Sequence, residues 1–109
     1  DGSCVRDFIH VSDVAEIHFK VLEKINKLKK SKILNCGYNK GISVLEVAQE
    51  FKNQNQTKKI KIIVTNRRKG DLVKIIATNE QLNKFIQWRP KFNSLKKIVK
   101  SCLVWEKKQ

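Results

Sequence analysis

The chain has 109 residues and a formal net charge of +14, with 24 lysines and arginines against 10 aspartates and glutamates. A chain of this length forms one small domain, spanning residues 1–109, and is too short for two. Such a charge can indicate a nucleic acid or an anionic membrane as partner. However, only four of the basic residues are arginine, and the lysines are spread out without interleaved aromatic residues, so we expect no specific nucleic-acid site.

No apolar run is long enough to span a bilayer, and the first residues lack the pattern of a signal peptide. We therefore expect a cytoplasmic protein without a membrane partner. Cys4, Cys36 and Cys102 are far apart and odd in number, which disfavours a disulfide framework and a metal site. We expect reduced thiols, with Cys102 buried on a helix face. Because Asp1 opens what reads as the middle of a structural element, we expect a piece of a longer polypeptide.

The first stretch, residues 4–16, reads as an extended segment over 5–11 followed by a helix that opens at Asp13. Asp13 and Glu16 have the spacing of an acidic capping box. Apolar residues then recur at three- and four-residue steps over 14–29, which predicts an α-helix. Arg6 would lie on the strand just before this helix. By residue chemistry alone, Arg6 and Asp7 most often form a surface ion pair of little energetic value.

A short apolar run at 33–36 predicts a second strand, and a loop with glycine at both ends, 37–41, follows it. A glycine-rich turn before a helix can hold phosphate, but the spacing fits neither GxGxxG nor a P-loop, so a tight turn is favoured. Ser43 and Glu46 form a capping box that predicts the start of the next helix. Its buried face is expected to consist of Val44, Val47, Ala48 and Phe51.

After a polar loop over 53–57, alternation over 59–64 predicts a strand with Ile60, Ile62 and Val64 facing inward. Residues 66–71 then read Asn-Arg-Arg-Lys-Gly-Asp, which combines three cations, a glycine and a carboxylate at the end of that strand. Guanidinium groups can fork onto phosphate oxygens, so this turn is able to grip a phosphate. The alternative, a solvated basic turn, is slightly favoured by residue chemistry alone.

The remaining third of the chain predicts an extended segment, 72–77, and two helices. Thr78 and Gln81 have the spacing of a capping box for a short helix, which Pro90 would end. The last helix is expected to open at residue 93 or 94. The buried residues of the short helix are expected to be Leu82, Phe85 and Ile86. The apolar side of the last helix is expected to hold Leu95, Ile98, Val99, Cys102 and Trp105, with Trp105 as a lid over the core.

Three of these segments resemble the UDP-glucose 4-epimerases of the extended short-chain dehydrogenase/reductase superfamily. They are Val-Arg-Asp-Phe-Ile-His-Val at 5–11 with Asp-Val-Ala at 13–15, the loop and helix start at 35–47, and Arg-Arg-Lys-Gly-Asp at 67–71. The resemblance implies an α/β fold of short strands covered by about four helices. This would be the C-terminal substrate-binding domain of an NAD(P)-binding Rossmann-type enzyme, whose Rossmann half is absent from these residues.

The same resemblance implies a set of substrate-binding residues. In these epimerases the second arginine of Arg-Arg-x-Gly-Asp reaches the UDP diphosphate and the aspartate helps to hold the nucleotide, which here correspond to Arg68 and Asp71. Arg6 would be the second jaw of this diphosphate clamp, and Phe8 occupies a substrate-binding position where the family often has tyrosine. Arg67 is expected to be a solvated neighbour.

For function, the resemblance implies part of a longer isomerase of galactose metabolism that interconverts UDP-glucose and UDP-galactose with bound NAD. Its implied partners are the UDP-sugar, the missing N-terminal NAD-binding domain and a second subunit of a homodimer, while the chain alone would be monomeric. The GxGxxG loop and the Tyr-x-x-x-Lys base of the superfamily are absent here, so we expect no catalytic residue and no NAD binding by this chain alone. The alternatives are the substrate domain of a related nucleotide-sugar epimerase or dehydratase, and a basic nucleic-acid-binding module.

Overall fold

The computed structural model describes residues 1–55 and 59–109. This part of the chain forms a small α/β structure with four α-helices and two short strands, which confirms the predicted class. The strands are β1 (Val5–Arg6) and β2 (Ile42–Ser43), and a 3-10 helix covers Ile25–Lys27. The α-helices are α1 (Val11–Glu23), α2 (Val44–Gln54), α3 (Glu80–Phe85) and α4 (Leu95–Glu106).

Strand β1 lies between two neighbours. It pairs antiparallel with β2, with Val5 opposite Ser43, and it meets the extended segment 72–77 through a parallel bridge to Lys74. The Val5 amide donates to the Val73 carbonyl at 2.9 Å, and the Ile75 amide donates to the Val5 carbonyl at 3.0 Å. Two segments almost seventy residues apart in sequence are thus fixed side by side.

Gly41 allows the close approach of the loop before β2 to this central strand. A side-chain carbon at position 41 would lie 2.4 Å from Val5 Cγ1 and 2.8 Å from Ile76 Cδ1, which is far inside van der Waals contact. Gly37, at the other end of the loop, is buried, and its carbonyl accepts a hydrogen bond from Asn79 Nδ2. Both ends of the loop are therefore packed against protein, as the tight-turn interpretation predicts. Between them, Asn39 has a φ of 56°, a left-handed conformation that asparagine tolerates.

The main core cluster joins α1 to α3 and the turn that follows it. Its members are Ile17, Leu82, Ile86 and Trp88. Phe85 is partly buried against the same cluster, so the predicted burial of α3 is confirmed. Helix α4 packs on α2 and buries Val99 completely.

Helix α1 begins three residues earlier than the sequence predicts and ends earlier too, at Glu23 rather than residue 29. His10 is the N-cap, and its Nδ1 accepts a hydrogen bond from the Ser12 amide at 3.1 Å. The predicted capping box with Asp13 is therefore wrong, because Asp13 lies inside the first turn and is fully buried. Its carboxylate is used by other parts of the chain.

The start of α2 agrees with the prediction. Ser43 Oγ accepts from the Glu46 amide at 3.1 Å, and the Glu46 carboxylate accepts from the Ser43 amide at 2.8 Å, which forms a complete capping box. The helix ends at Gln54, and the predicted loop over 53–57 lies partly outside the described residues. Val44 is 45% exposed, so it is not part of the buried face.

Two predicted strands are wrong. Residues 33–36 and 59–64 join no ladder within the described ranges. Ile33 is 96% exposed, and Val64, which was expected to face inward, is 64% exposed. A strand is held by hydrogen bonds to a neighbouring strand, so the apolar alternation alone does not produce one here.

The two C-terminal helices depart from prediction at single residues. The N-cap of α3 is Asn79, without a side-chain hydrogen bond, so the predicted capping box at Thr78 is wrong. Ser94 caps α4 as predicted, accepting from the Lys97 amide. Trp105 is 65% exposed and Cys102 is exposed, so neither is buried as expected. Val99 is the buried residue of α4.

Candidate functional site

Arg6 lies on β1 with its side chain half-buried. Its Nη1 donates to the Val5 carbonyl at 2.8 Å and to the Leu72 carbonyl at 3.0 Å. Asp7 accepts instead from the Tyr38 amide at 3.0 Å, so the surface ion pair between Arg6 and Asp7 is not formed in the described structure. The contact with Leu72 places the Arg6 guanidinium at the end of the basic turn.

The basic turn, defined as residues 67–71, is closed by a hydrogen bond from the Asp71 amide to the Arg68 carbonyl at 3.3 Å. Gly70 has a φ of 90°, a backbone conformation that residues other than glycine adopt only with steric strain. Arg68 then folds back onto Asp71, with Nε 3.1 Å from Oδ2 and Nη2 3.4 Å from Oδ1. The Arg68 side chain is 86% exposed, so its guanidinium is accessible from solvent.

Arg67 is exposed, as expected of a solvated neighbour, but it also makes contacts that the sequence did not indicate. Its Nη2 donates to the Asp71 carbonyl at 3.0 Å and lies 3.8 Å from Cys4 Sγ. The chain has only four arginines, and three of them therefore converge on one dipeptide, Asp71–Leu72. Arg68 donates to the Asp71 carboxylate and Arg67 donates to the Asp71 carbonyl. Arg6 donates to the Leu72 carbonyl.

This arrangement can hold an anion. Guanidinium groups are planar and offer five donors each, so contacts with one or two protein acceptors leave further donors for phosphate oxygens. Arg68 contacts Asp71 and Arg6 contacts the adjacent Leu72, so two arginines that are 62 positions apart in sequence meet the same dipeptide. Phe8 is half-buried in the segment between β1 and α1, where its ring offers apolar surface.

A buried polar cluster of His10, Asp13 and Tyr38 was missed by sequence reasoning. Asp13 is fully buried, His10 is 5% exposed, and the Asp13 carboxylate accepts from Tyr38 Oη and from the amides of Lys91 and Phe92 at 3.1 and 3.0 Å. Burial alone would raise the pKa of Asp13, but these hydrogen bonds outweigh it and hold that pKa below its usual value. Burial and the bond to Asp13 raise the pKa of Tyr38.

The same cluster links three parts of the chain. Tyr38 Oη also accepts from the His10 amide at 3.1 Å, and the His10 ring stacks on Phe92 with centroids 4.4 Å apart. The cluster thus holds the segment between β1 and α1 against the 37–41 loop and the turn at 91–92. The sequence offered one signal for this cluster, which is that Asp13 stands next to the apolar positions of α1. A role in helix capping explained that position equally well.

The residues of this chain do not fit a dinucleotide cofactor. The four glycines are at positions 2, 37, 41 and 70, too far apart for the GxGxxG turn that receives a pyrophosphate. Tyr38 is followed four residues later by Ile42 rather than lysine. Within residues 1–55 and 59–109, no group of three or more histidines, cysteines or carboxylates could hold a metal ion. No helix of these ranges is long and apolar enough to cross a membrane.

Comparisons with known proteins identify the same family that the motifs indicate. Residues 1–37 match the model of the NAD dependent epimerase/dehydratase family. The UDP-glucose 4-epimerase of Azospirillum brasilense is 36% identical over 107 residues, which is 98% of this chain and 30% of that protein.

Solved structures agree. The UDP-Glc/GlcNAc 4-epimerase from Campylobacter jejuni superposes with a TM-score of 0.85 at 36% identity, covering 100% of this chain and 32% of that one. The UDP-glucose 4-epimerase from Bifidobacterium longum, in complex with NAD+ and UDP, has a TM-score of 0.80 at 30% identity and covers 100% of this chain and 32% of that one. The resemblance to UDP-glucose 4-epimerases is confirmed over nearly the whole chain, which spans about a third of their length.

Proposed function

We propose that this chain is the C-terminal, substrate-binding part of a longer UDP-sugar 4-epimerase and that it holds the diphosphate of the nucleotide. The observation that carries this proposal is the convergence of Arg6 and the basic turn: Arg6 Nη1 lies 3.0 Å from the Leu72 carbonyl, across 66 residues of sequence. The structure from Bifidobacterium longum, in complex with UDP, supports UDP as the ligand class.

The proposed clamp consists of Arg6 and Arg68, with Asp71 holding the Arg68 guanidinium, and the half-buried Phe8 is proposed to add an apolar contact to the substrate. In an epimerase the sugar must present both faces to the reacting groups, so affinity has to come from the part of the substrate that does not react. A diphosphate fixed by two arginines meets this requirement. We propose that the full-length enzyme is a cytoplasmic homodimer. The part of it that lies outside these 109 residues would supply the NAD site and the catalytic base.

The direct test is a titration of the 109-residue chain with UDP, in which binding is measured from changes in the amide NMR chemical shifts. This method also detects weak binding. A charge-assisted contact to phosphate is worth about 1.5–3 kcal/mol, so Arg68→Ala should weaken UDP binding about ten- to a hundredfold. Arg68→Lys should recover part of this loss, because an ammonium is a point charge without the planar fork. Arg6→Ala should weaken binding to a similar extent.

Arg89→Ala is the matched control, since it removes the same charge from an exposed arginine on the turn after α3. It should change UDP affinity less than about twofold, because screening by salt weakens the influence of distant exposed charges. If the unaltered chain shows no UDP-dependent shifts, or if Arg6→Ala and Arg68→Ala bind UDP as well as Arg89→Ala does, the clamp is wrong.

A further inference from the structure

Arg67 joins the basic turn to the base of strand β1. Its single Nη2 atom contacts the Asp71 carbonyl at 3.0 Å on one side and Cys4 Sγ at 3.8 Å on the other. Cys4 is 8% exposed and stands two residues before Arg6. One guanidinium group therefore bridges the two segments that carry Arg6 and Arg68.

We propose that Arg67 is a positioning residue, which fastens the basic turn to β1 so that Arg6 and Arg68 face the same diphosphate. This inference rests on the proposed function, and it deepens it by assigning a role to the first arginine of the motif. Arg67 acts through the turn, so it needs no contact with the ligand itself.

The local connections explain why such a fastening is required. The turn is closed on itself by one backbone bond of 3.3 Å and by the Arg68–Asp71 pair, and neither of these ties it to the rest of the protein. Within the described residues, the contacts of this region with β1 and the residue before it are the Arg6 bond to Leu72, the strand contacts at 73–75, and Arg67 with Cys4. Arg6 Nη1 already donates to two carbonyls and its remaining donors are needed for phosphate, whereas Arg67 can hold the turn without giving up any donor to the ligand.

The nature of the Arg67 contacts also favours positioning over direct binding. The Asp71 carbonyl and the thiol accept from the same nitrogen, and that nitrogen is directed toward protein. Both arginines are exposed, but among the described residues the Arg68 guanidinium donates to the Asp71 carboxylate of its own turn, whereas Arg67 also reaches Cys4. A displacement of a binding group by a fraction of an ångström is enough to lower affinity severalfold.

The test compares UDP with uridine, which lacks the diphosphate, as NMR-monitored probes of the 109-residue chain. Arg67→Ala should weaken UDP binding about three- to tenfold, the size expected when one hydrogen bond that orders a binding group is lost. Uridine binding, however weak, should be unchanged. Arg67→Lys should restore part of the UDP affinity, because one ammonium can still donate to the Asp71 carbonyl. Arg89→Ala again controls for the loss of one positive charge.

A double variant separates positioning from contact. If Arg67 works through Arg68, then adding Arg67→Ala to Arg68→Ala should change UDP affinity less than about twofold, because coupled residues are not additive. A full additional loss in the double variant would mean that Arg67 contacts the ligand, and the positioning role would be wrong. An unchanged UDP affinity of Arg67→Ala, or an equal loss for uridine, would also overturn it. These outcomes leave the clamp itself intact, because the clamp fails if the unaltered chain does not bind UDP or if Arg6→Ala and Arg68→Ala bind it as well as Arg89→Ala does.

Discussion

Asp13 is predicted to be the most costly carboxylate in the described structure to remove. Asp13→Ala leaves three donors without their acceptor, namely Tyr38 Oη and the amides of Lys91 and Phe92. Each buried donor left unpaired costs about 1–3 kcal/mol, and single substitutions rarely exceed 4–5 kcal/mol, so we expect a loss of about 3–5 kcal/mol. Since small domains have a total stability of about 5–15 kcal/mol, this variant should be close to unfolding.

The measurement is the free energy of unfolding in urea, monitored by the fluorescence of Trp88, which is 5% exposed. A Trp105→Phe background leaves Trp88 as the one fluorescent tryptophan. Asp71→Ala is the matched control, because Asp71 also pairs with a cation but does so at the surface, where such a pair is worth less than about 1 kcal/mol. Asp13→Asn keeps one acceptor oxygen and should lose about half as much. If Asp13→Ala costs no more than Asp71→Ala, the structural role assigned to the buried cluster is incorrect.

Tyr38→Phe tests the connection within this cluster. It removes the donor to Asp13 and the acceptor of the His10 amide, so we expect a loss of about 2 kcal/mol. Because both single variants lose the same hydrogen bond, the double variant should be more stable than the sum of the two losses indicates, by about 1–3 kcal/mol. Strict additivity would show that the two side chains do not interact.

The contribution of Asp13 also has a defined dependence on pH. Its pKa is lowered in the folded chain, so the folded state binds this proton less readily than the unfolded state does. The stability it confers is therefore complete above the pKa of an unfolded aspartate, about 3.9, and is lost as the pH falls through the folded pKa. The stability difference between the unaltered chain and Asp13→Asn should accordingly shrink as the solution is acidified below that value.

Two further predictions concern the basic turn and the net charge. Gly70→Ala places a side chain at a φ of 90°, so it should destabilise the turn by about 1 kcal/mol and weaken UDP binding in the same NMR titration; an unchanged UDP affinity would show that the turn conformation does not matter for binding. With a net charge of +14, the chain should bind duplex DNA only at low salt and lose that binding steeply as salt rises; sub-micromolar affinity at physiological salt in an anisotropy titration would favour a nucleic-acid-binding module.

The sequence by itself determined the features that depend on neighbours within one turn of chain. The capping box at Ser43, the N-cap at Ser94 and the burial of Leu82 and Ile86 all follow from spacing over three or four residues, because helix ends and helix faces are local. The family motifs likewise indicate Arg6, Arg68 and Asp71 as candidate binding residues in a lysine-rich chain. That assignment stays a prediction.

Only the tertiary structure decided which partners those residues have. Asp13 has the spacing of a capping residue, yet its acceptors serve amides 78 and 79 residues away. Arg67 and Arg68 are neighbours with the same side chain and both are exposed, yet it is Arg67 that reaches Cys4 Sγ, 63 residues away in sequence. Trp105, Ile63 and Val64 have apolar side chains but are 65%, 70% and 64% exposed in the described structure. Burial and long-range hydrogen bonds depend on which residues of other elements pack against a side chain. The pattern of residues along the sequence does not specify those neighbours.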